Sequence, residues 1–383
     1  MVVNFGYFLS IGVMNPVLPR FIEGPVGSSD IGVGIGIGSF TVTALLLRPW
    51  SGRFGDRIGR RAPIIVGALV HTAACAGFLL ATTLTHVILL RLVTGISEAL
   101  LFVSVATAIQ DLAPDDRRGE AASFFSLSLF LALAIGPVIG EELLRQSGFD
   151  AVWLFGAGAA GLGLLISFSI PDTRTHTDVP DKPPPLIHGA AIRPGLILGS
   201  AIWGLAAFNA FVPLYALELG LDGARLVFLV NAVVIMLFRS VGARIPDRFG
   251  AIPVARFSLF CTPVGLGVMG LWSDIPGLFV GAVILACGQA LAFPALMTVA
   301  VNNALPTERG AVMGTFTAFF DLSFGGGAIA LGFVAHAWNY NGAFLVAMGV
   351  AAMGFATMVF APPRIKTPIR PTEPIGEVAP PGN

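Results

Sequence analysis

Charge is what this chain of 383 residues most lacks. Asp, Glu, Lys and Arg make up 11 % of it, hydrophobic residues 55 %, and the mean hydropathy is +0.84. Soluble domains carry about 25 % charged residues. A chain this poor in charge cannot cover a water-facing surface of its size, so most of it must face lipid. The net charge is zero, which removes any general electrostatic case for nucleic acid or an acidic partner. Cysteine is scarce too. Cys75, Cys261 and Cys287 all stand in apolar runs, and three such thiols give neither a disulfide framework nor metal-ligand spacing. They read as small packing residues. With no spaced ligand set and no Walker-type phosphate loop, neither a metal nor another cofactor is expected, and direct driving by ATP is not either. No nucleophile stands beside a positioned base within the apolar runs, and no sizeable soluble segment exists, which argues against a membrane enzyme or a sensor.

What the chain has is apolar length. A bilayer-crossing helix needs about 20 mostly apolar residues. Twelve such runs occur, roughly 2–21, 30–48, 62–82, 84–110, 119–142, 150–170, 193–215, 224–241, 252–272, 275–301, 310–336 and 342–361. The first is long enough to span and has no charged region before it, so it reads as a span rather than a cleavable leader. A span that starts almost at Met1 predicts a natural start farther upstream. Several runs are rich in glycine, as in residues 31–38. In water that composition makes a poor helix. In lipid the backbone must bond to itself, and small residues let helices approach closely.

Orientation follows from lysine and arginine. With the amino terminus placed inside, the outside connections hold Arg20, Arg145 and Arg225, Arg91 lies within a span, and all the remaining basic residues fall at inside connections or the tail. Both termini are therefore expected in the cytoplasm. Residues 171–192 form a polar, proline-containing inside connection and read as a linker. The expected organisation is an amino-terminal six-helix bundle over 1–170, a linker over 171–192, a second six-helix bundle over 193–361 and a disordered tail over 362–383.

The two halves echo each other. Asp56-Arg57-Ile58-Gly59 recurs as Asp247-Arg248-Phe249-Gly250, Arg118-Gly119 as Arg309-Gly310, and Gly136 as Gly327, all at an offset of 191. Asn15-Pro16-Val17-Leu18-Pro19 is echoed by Asn209-Ala210-Phe211-Val212-Pro213 at an offset of 194. Several matches near one offset, at equivalent helix ends, argue for duplication. Repeats related by an axis along the membrane normal place a substrate site near the midplane between the halves.

The most specific motif joins the second and third runs: Gly52-Arg53-Phe54-Gly55-Asp56-Arg57-Ile58-Gly59-Arg60-Arg61. Its glycines suit a tight turn between antiparallel helices, and Asp56 suits a helix amino terminus. The string resembles the loop signature of the major facilitator superfamily, glycine-x-x-x-aspartate-arginine-x-glycine-arginine-arginine/lysine. The resemblance covers about residues 2–361. It implies an all-α membrane protein with twelve transmembrane helices in two pseudo-symmetric six-helix bundles. It also implies a cytoplasmic latch in which Asp56 meets the start of span eleven near Arg309 and Gly310. The second copy, with Asp247, Arg248 and Gly250, departs from the pattern: Gly242 is five residues before Asp247 instead of four, and Ala251 replaces an arginine.

Gly136-Pro137-Val138-Ile139-Gly140 in span five resembles the glycine-proline motif of the family's proton-coupled exporters, with Ala132 and Glu141 standing where the fuller motif has glycine. Proline bends the helix, and the glycines are expected to allow close packing against the opposing half. Span four carries Arg91 and Glu98. They share a helix face about 10.5 Å apart along the axis, so they pair directly only with both side chains extended. A charge within a span costs at least about 2.5–3.5 kcal/mol and normally faces a cavity or a partner. Asp321, in span eleven, is the second candidate for carrying a proton, and Asn15, Asn209 and Gln289 are candidate polar contacts in the cavity. His71 reads as structural.

The function these residues suggest is a secondary active exporter of small organic, drug-like molecules, driven by protons and working by alternating access. Its expected partners are the substrate, protons and membrane lipid, its expected state a monomer, and its expected place a bacterial-type inner membrane. The alternative is a sugar or metabolite carrier working by uptake or facilitated diffusion. Sugar sites call for amides and aromatics, and tryptophan is sparse here.

Overall fold

Once an apolar run leaves water, its amides and carbonyls have no partner but each other, and a helix is the local solution. The computed structural model describes residues 1–114, 117–172, 187–242, 250–304 and 308–363, and all the elements assigned among them are helical. The first span is two pieces, α1 (Val2–Met14) and α2 (Val17–Glu23), broken at Asn15 and Pro16. The second is likewise α3 (Asp30–Gly38) and α4 (Phe40–Ile58), parted at Ser39. Then follow α5 (Arg61–Gly77), α6 (Leu84–Leu112), α7 (Arg118–Ser147) and α8 (Phe149–Ser167). The second half comprises α9 (Gly189–Glu218), α10 (Arg225–Gly242), α11 (Ala251–Leu271), α12 (Ile275–Asn302), α13 (Arg309–Ala337) and α14 (Tyr340–Phe360). Eleven of these spans are long and apolar enough to cross a membrane among the described residues. The twelfth is α10, whose 18 residues include Arg225 and Arg239.

The helices pack as two groups of six spans. In the first, α1 lies against α7 and α8, α5 against α6 and α8, and α4 against α6. In the second, α9 lies against α12, α13 and α14, and α11 against α12 and α14. The repeat in the sequence is a repeat of packing. Gly136 on α7 has no room for a Cβ because Gly12 of α1 lies against it, and Gly327 on α13 abuts Trp203 of α9. Span five thus leans on span one as span eleven leans on span seven. This corrects one expectation: Gly136 and Gly140 pack against α1 of their own half, where a Cβ on Gly140 would strike the Val13 carbonyl oxygen. Small residues serve the nearest long neighbour, and Pro137 sits inside α7 without ending it.

The signature string is also not a loop throughout. Helix α4 runs on to Ile58, so Gly52, Asp56 and Arg57 are helical, their side chains outside the described residues. The turn is made at Gly59 alone, with φ +93°, a conformation that costs a side-chain-bearing residue. Arg60 pairs with Asp111 at 3.4 Å, and Arg61 donates to the Phe168 carbonyl at 2.7 Å, tying α5 to the ends of α6 and α8. Asp247 and Arg248 lie outside the described residues, as do 173–186 of the expected linker and 364–383 of the expected tail; Gly250, with φ +86°, precedes α11. Helix α9 begins at Gly189, within the expected linker, where His188 faces Glu308 at 3.4 Å.

The two groups meet along a seam in which α3 and α4 face α13, α7 faces α10, and α2 and α3 face α9. The closest approach is between α3 and α13. A Cβ on Gly34 would meet the Ala328 carbonyl oxygen and come within 3.1 Å of Gly332 Cα, and one on Gly38 would sit 2.9 Å from the Ile329 side chain. These contacts lie toward the end of the bundle that carries Arg20, Arg145 and Arg225, hereafter the arginine-poor end.

Candidate functional site

An arginine that hydropathy places at the close of a span stands inside the seam. Because α4 continues to Ile58, Arg48 is embedded ten residues from the helix end. Its Nη2 lies 2.7 Å from Asp321 Oδ2 on α13 and 3.5 Å from Glu98 Oε1 on α6. One guanidinium therefore holds two carboxylates, one from each half. The side chains are largely buried, 12 % exposed for Arg48, 15 % for Glu98 and 5 % for Asp321. Glu98 is 14 residues into α6 and Asp321 12 residues into α13, depths of about 21 and 18 Å at 1.5 Å per residue, which is midway through a bilayer. The close approach to Asp321 is not aligned as a hydrogen bond, and Arg48 Nε has no acceptor among the described residues. Charge rather than a bidentate fork holds the cluster, and a charge interaction is readily exchanged. With both carboxylates ionised the cluster is one negative charge in excess, so either a proton or a cationic group neutralises it.

Arg91 does not join it. Its Nε donates to the Gly36 carbonyl at 3.1 Å, its Nη2 to Ile37 at 2.9 Å, and its guanidinium lies 4.4 Å from the Phe40 ring centroid. Those carbonyls belong to the last turn of α3, where intrahelical donors run out, and a cation there is favoured by the helix dipole as well. The shared face of Arg91 and Glu98 thus does not become a pair: Arg91 docks α6 to the break between α3 and α4, and Glu98 turns to Arg48.

The other expected polar contacts are dispersed. Asn15 sits at the break between α1 and α2. Asn209 spends its amide on the Leu205 carbonyl of its own helix at 2.9 Å. Gln289 is on α12 with its Nε2 buried and unbonded. None of the three hydrogen-bonds the Arg48 cluster among the described residues. His71 is buried in the first half, with Ser10 at 2.6 Å and Ser97 at 3.2 Å, in keeping with a structural role.

A second ion cluster closes the arginine-poor end. Glu141, 3 % exposed, pairs with Arg20 at 3.1 Å, and a Cβ on Gly223 of the second half would run into both side chains. Its neighbour Glu142 binds Arg145 of its own helix and Arg225 across the seam. In the sequence, Glu141 shows only as a departure from a glycine motif. An acidic residue in the last two turns of an apolar run is the signal that marks it.

The Major Facilitator Superfamily model matches residues 1–304 and again 224–381. The chain is 29 % identical over 364 residues to an uncharacterized MFS-type transporter of Salmonella typhimurium, with 92 % of each covered. It resembles a POT family transporter solved in complex with 5-aminolevulinic acid, at TM-score 0.79 and 16 % identity over 96 % of each chain. It also resembles the nucleoside transporter NupG, at TM-score 0.71 and 14 % identity over 94 % of this chain and 96 % of that one. Those identities speak for the fold alone. With the family model spanning the chain, the two packed halves and the signature string in place, this protein belongs to the major facilitator superfamily of transporters.

Proposed function

We propose that this carrier exports small organic molecules in exchange for protons, with Arg48, Glu98 and Asp321 as its coupling site. Members of the family are carriers, not enzymes, and need no cofactor. The observation that supports the coupling is the sharing of one guanidinium between carboxylates of opposite halves. A carrier alternates by rocking its halves about a central site. Tying the halves through an ion triad makes the rocking depend on what neutralises that triad. A proton on Glu98 leaves Arg48 matched to Asp321 alone; its departure restores the surplus charge and the hold on Arg48. One proton entering across 100 mV supplies about 2.3 kcal/mol, and each pH unit about 1.36 kcal/mol.

The positive-inside distribution puts the arginine-poor end outside and both termini in the cytoplasm of a bacterial-type inner membrane. The close α3–α13 contacts and the Glu141 and Glu142 clusters then describe a state shut toward the outside. Asp56 near the start of α13 would shut the other side in the opposite state. Export is supported by the resemblance of Gly136-Pro137 and Gly140 to the exporters' motif. Each half is one six-helix bundle, so a monomer holds a complete pathway. The test is accumulation of candidate solutes in cells lacking other pumps, with and without an uncoupler. Accumulation that rises when the gradient is collapsed supports proton-driven export. Accumulation that falls supports uptake of a sugar or another metabolite, and indifference supports facilitated diffusion.

A further inference from the structure

Arg239 is a third arginine set within a span, after Arg48 and Arg91. It stands on α10, and its guanidinium carbon lies 3.2 Å from the ring centroid of Phe130 on α7. The contact crosses the seam, on the same helix pair that Glu142 and Arg225 join near the arginine-poor end. From that joint, Arg239 is fourteen residues along α10 and Phe130 twelve residues back along α7, or about 21 and 18 Å at 1.5 Å per residue. That is close to the depth of Glu98 in α6, so Arg239 lies within the apolar span, three residues before α10 closes at Gly242.

Unlike Arg48, Arg239 has no carboxylate within ion-pair distance among the described residues; its Nε, like that of Arg48, is buried with no acceptor there. The Phe130 ring lies against the guanidinium carbon, and the guanidinium nitrogens have no hydrogen-bond partner among the described residues. The cost of a cation at this depth exceeds what one aromatic face returns. A residue kept for packing alone would not bear a charge here, whereas a residue that receives an anion in each cycle would. Packing on Phe130 also restrains the guanidinium, which favours two-pronged capture of a planar carboxylate.

We propose that Arg239, backed by Phe130, is the anchor for the anionic group of the substrate, and that the substrate class includes small organic acids bearing a carboxylate. The inference rests on the carrier reading, in which the substrate sits between the halves. Arg48 is already matched by Glu98 and Asp321, and among the described residues Arg239 is a cation in the seam left without a counter-charge. The transported anion supplies it.

The experiment uses the whole protein in lipid nanodiscs, with no gradient. Arginines are modified with phenylglyoxal and followed by peptide mass spectrometry. The probes are acetate, benzoate and 3-phenylpropionate, each against its own amide, with chloride as the inorganic control. At least one carboxylate should slow modification of Arg239 fivefold or more, its amide and chloride should not, and the exposed Arg145 should be modified at an unchanged rate. Arg239→Lys should weaken binding of the protecting carboxylate tenfold or more, read by thermal stabilisation, while leaving the unliganded melting temperature close to that of the parent. Protection by none of the three acids, equal protection by chloride or the amides, or undiminished binding to Arg239→Lys would overturn the assignment. The protection assay repeated on Glu98→Gln separates the two readings. Loss of proton coupling in Glu98→Gln with protection intact supports both readings, whereas protection absent in the parent protein with coupling intact counts against Arg239 alone.

Discussion

Replacing Glu98 by Gln and Asp321 by Asn removes one negative charge each, with little change of shape, from two sides of the same guanidinium. At an effective dielectric constant of about 20, a unit-charge pair at the 2.7 Å of Arg48–Asp321 attracts by roughly 6 kcal/mol, and one at the 3.5 Å of Arg48–Glu98 by roughly 5 kcal/mol. Desolvation of the ions cancels much of this, leaving a coupling across the seam of about 1–3 kcal/mol, or 5- to 150-fold in the ratio of two states. The variants should then differ in kind. Asp321→Asn cuts the link between the halves and leaves Arg48 paired within its own half, so the state seen here should lose population by that factor. Cysteine-accessibility labelling at the two ends of the bundle measures it. Glu98→Gln keeps the cross-seam pair and removes the group that we assign to the proton. Transport driven by a pH gradient should be abolished, and substrate exchange without net proton movement should persist, both measured in proteoliposomes. The reasoning fails if Glu98→Gln couples like the parent protein, or if Asp321→Asn leaves labelling unchanged. If Asp321→Asn alone destroys gradient-driven transport, the proton site belongs to α13.

Gly38→Leu should wedge α3 from α13, shift labelling toward the state open at the arginine-poor end and slow transport at least tenfold; unchanged labelling would remove the seam from the mechanism. Arg91→Gln should cost about 1–3 kcal/mol of stability through the orphaned Ile37 carbonyl of α3, the Gly36 carbonyl keeping the Ser39 hydroxyl, seen as a lower melting temperature, while the folded fraction keeps its ratio of protons to substrate. A reporter active only outside the cytoplasm should be active when fused after Gln146 and silent when fused after Asp178, and the reverse pattern would overturn the orientation.

The spans were legible because lipid gives a helix no alternative, and their number and order follow from apolar length. The site was half legible, for a physical reason. Hydropathy ends a run where charge begins, so the charges that work inside the membrane are assigned to connections. Arg48, followed by Pro49 and the glycines of the signature, looks like the start of a loop, yet α4 carries it for another ten residues. Arg239 was counted in the same way. Glu98 and Asp321 stood out because apolar sequence flanks them on both sides. Pairing was beyond the sequence: spacing sets Arg91 and Glu98 on one face, but the free carbonyls at the break in α3 come from another helix, and nothing in span four announces them.

That break has a counterpart one span earlier. The first two spans are jointed at Asn15–Pro16 and at Ser39, whereas α9, the repeat of the first, runs unbroken through Pro213. Pro16 has no amide to lend to the helix before it. Between the two joints, α2 and α3 form a hairpin that carries Arg20, Asp30, Gly34 and Gly38, so one short flap bears much of what the first half presents to its partner at the arginine-poor end, Glu141 and Glu142 of α7 bearing the rest. Opening that end therefore does not require the whole half to tilt. A small bend at two points, with Arg91 gripping the base of the flap, frees the α3–α13 contact while the ion triad below it still holds, and leaves the Glu142–Arg225 pair as a remaining tie at that end.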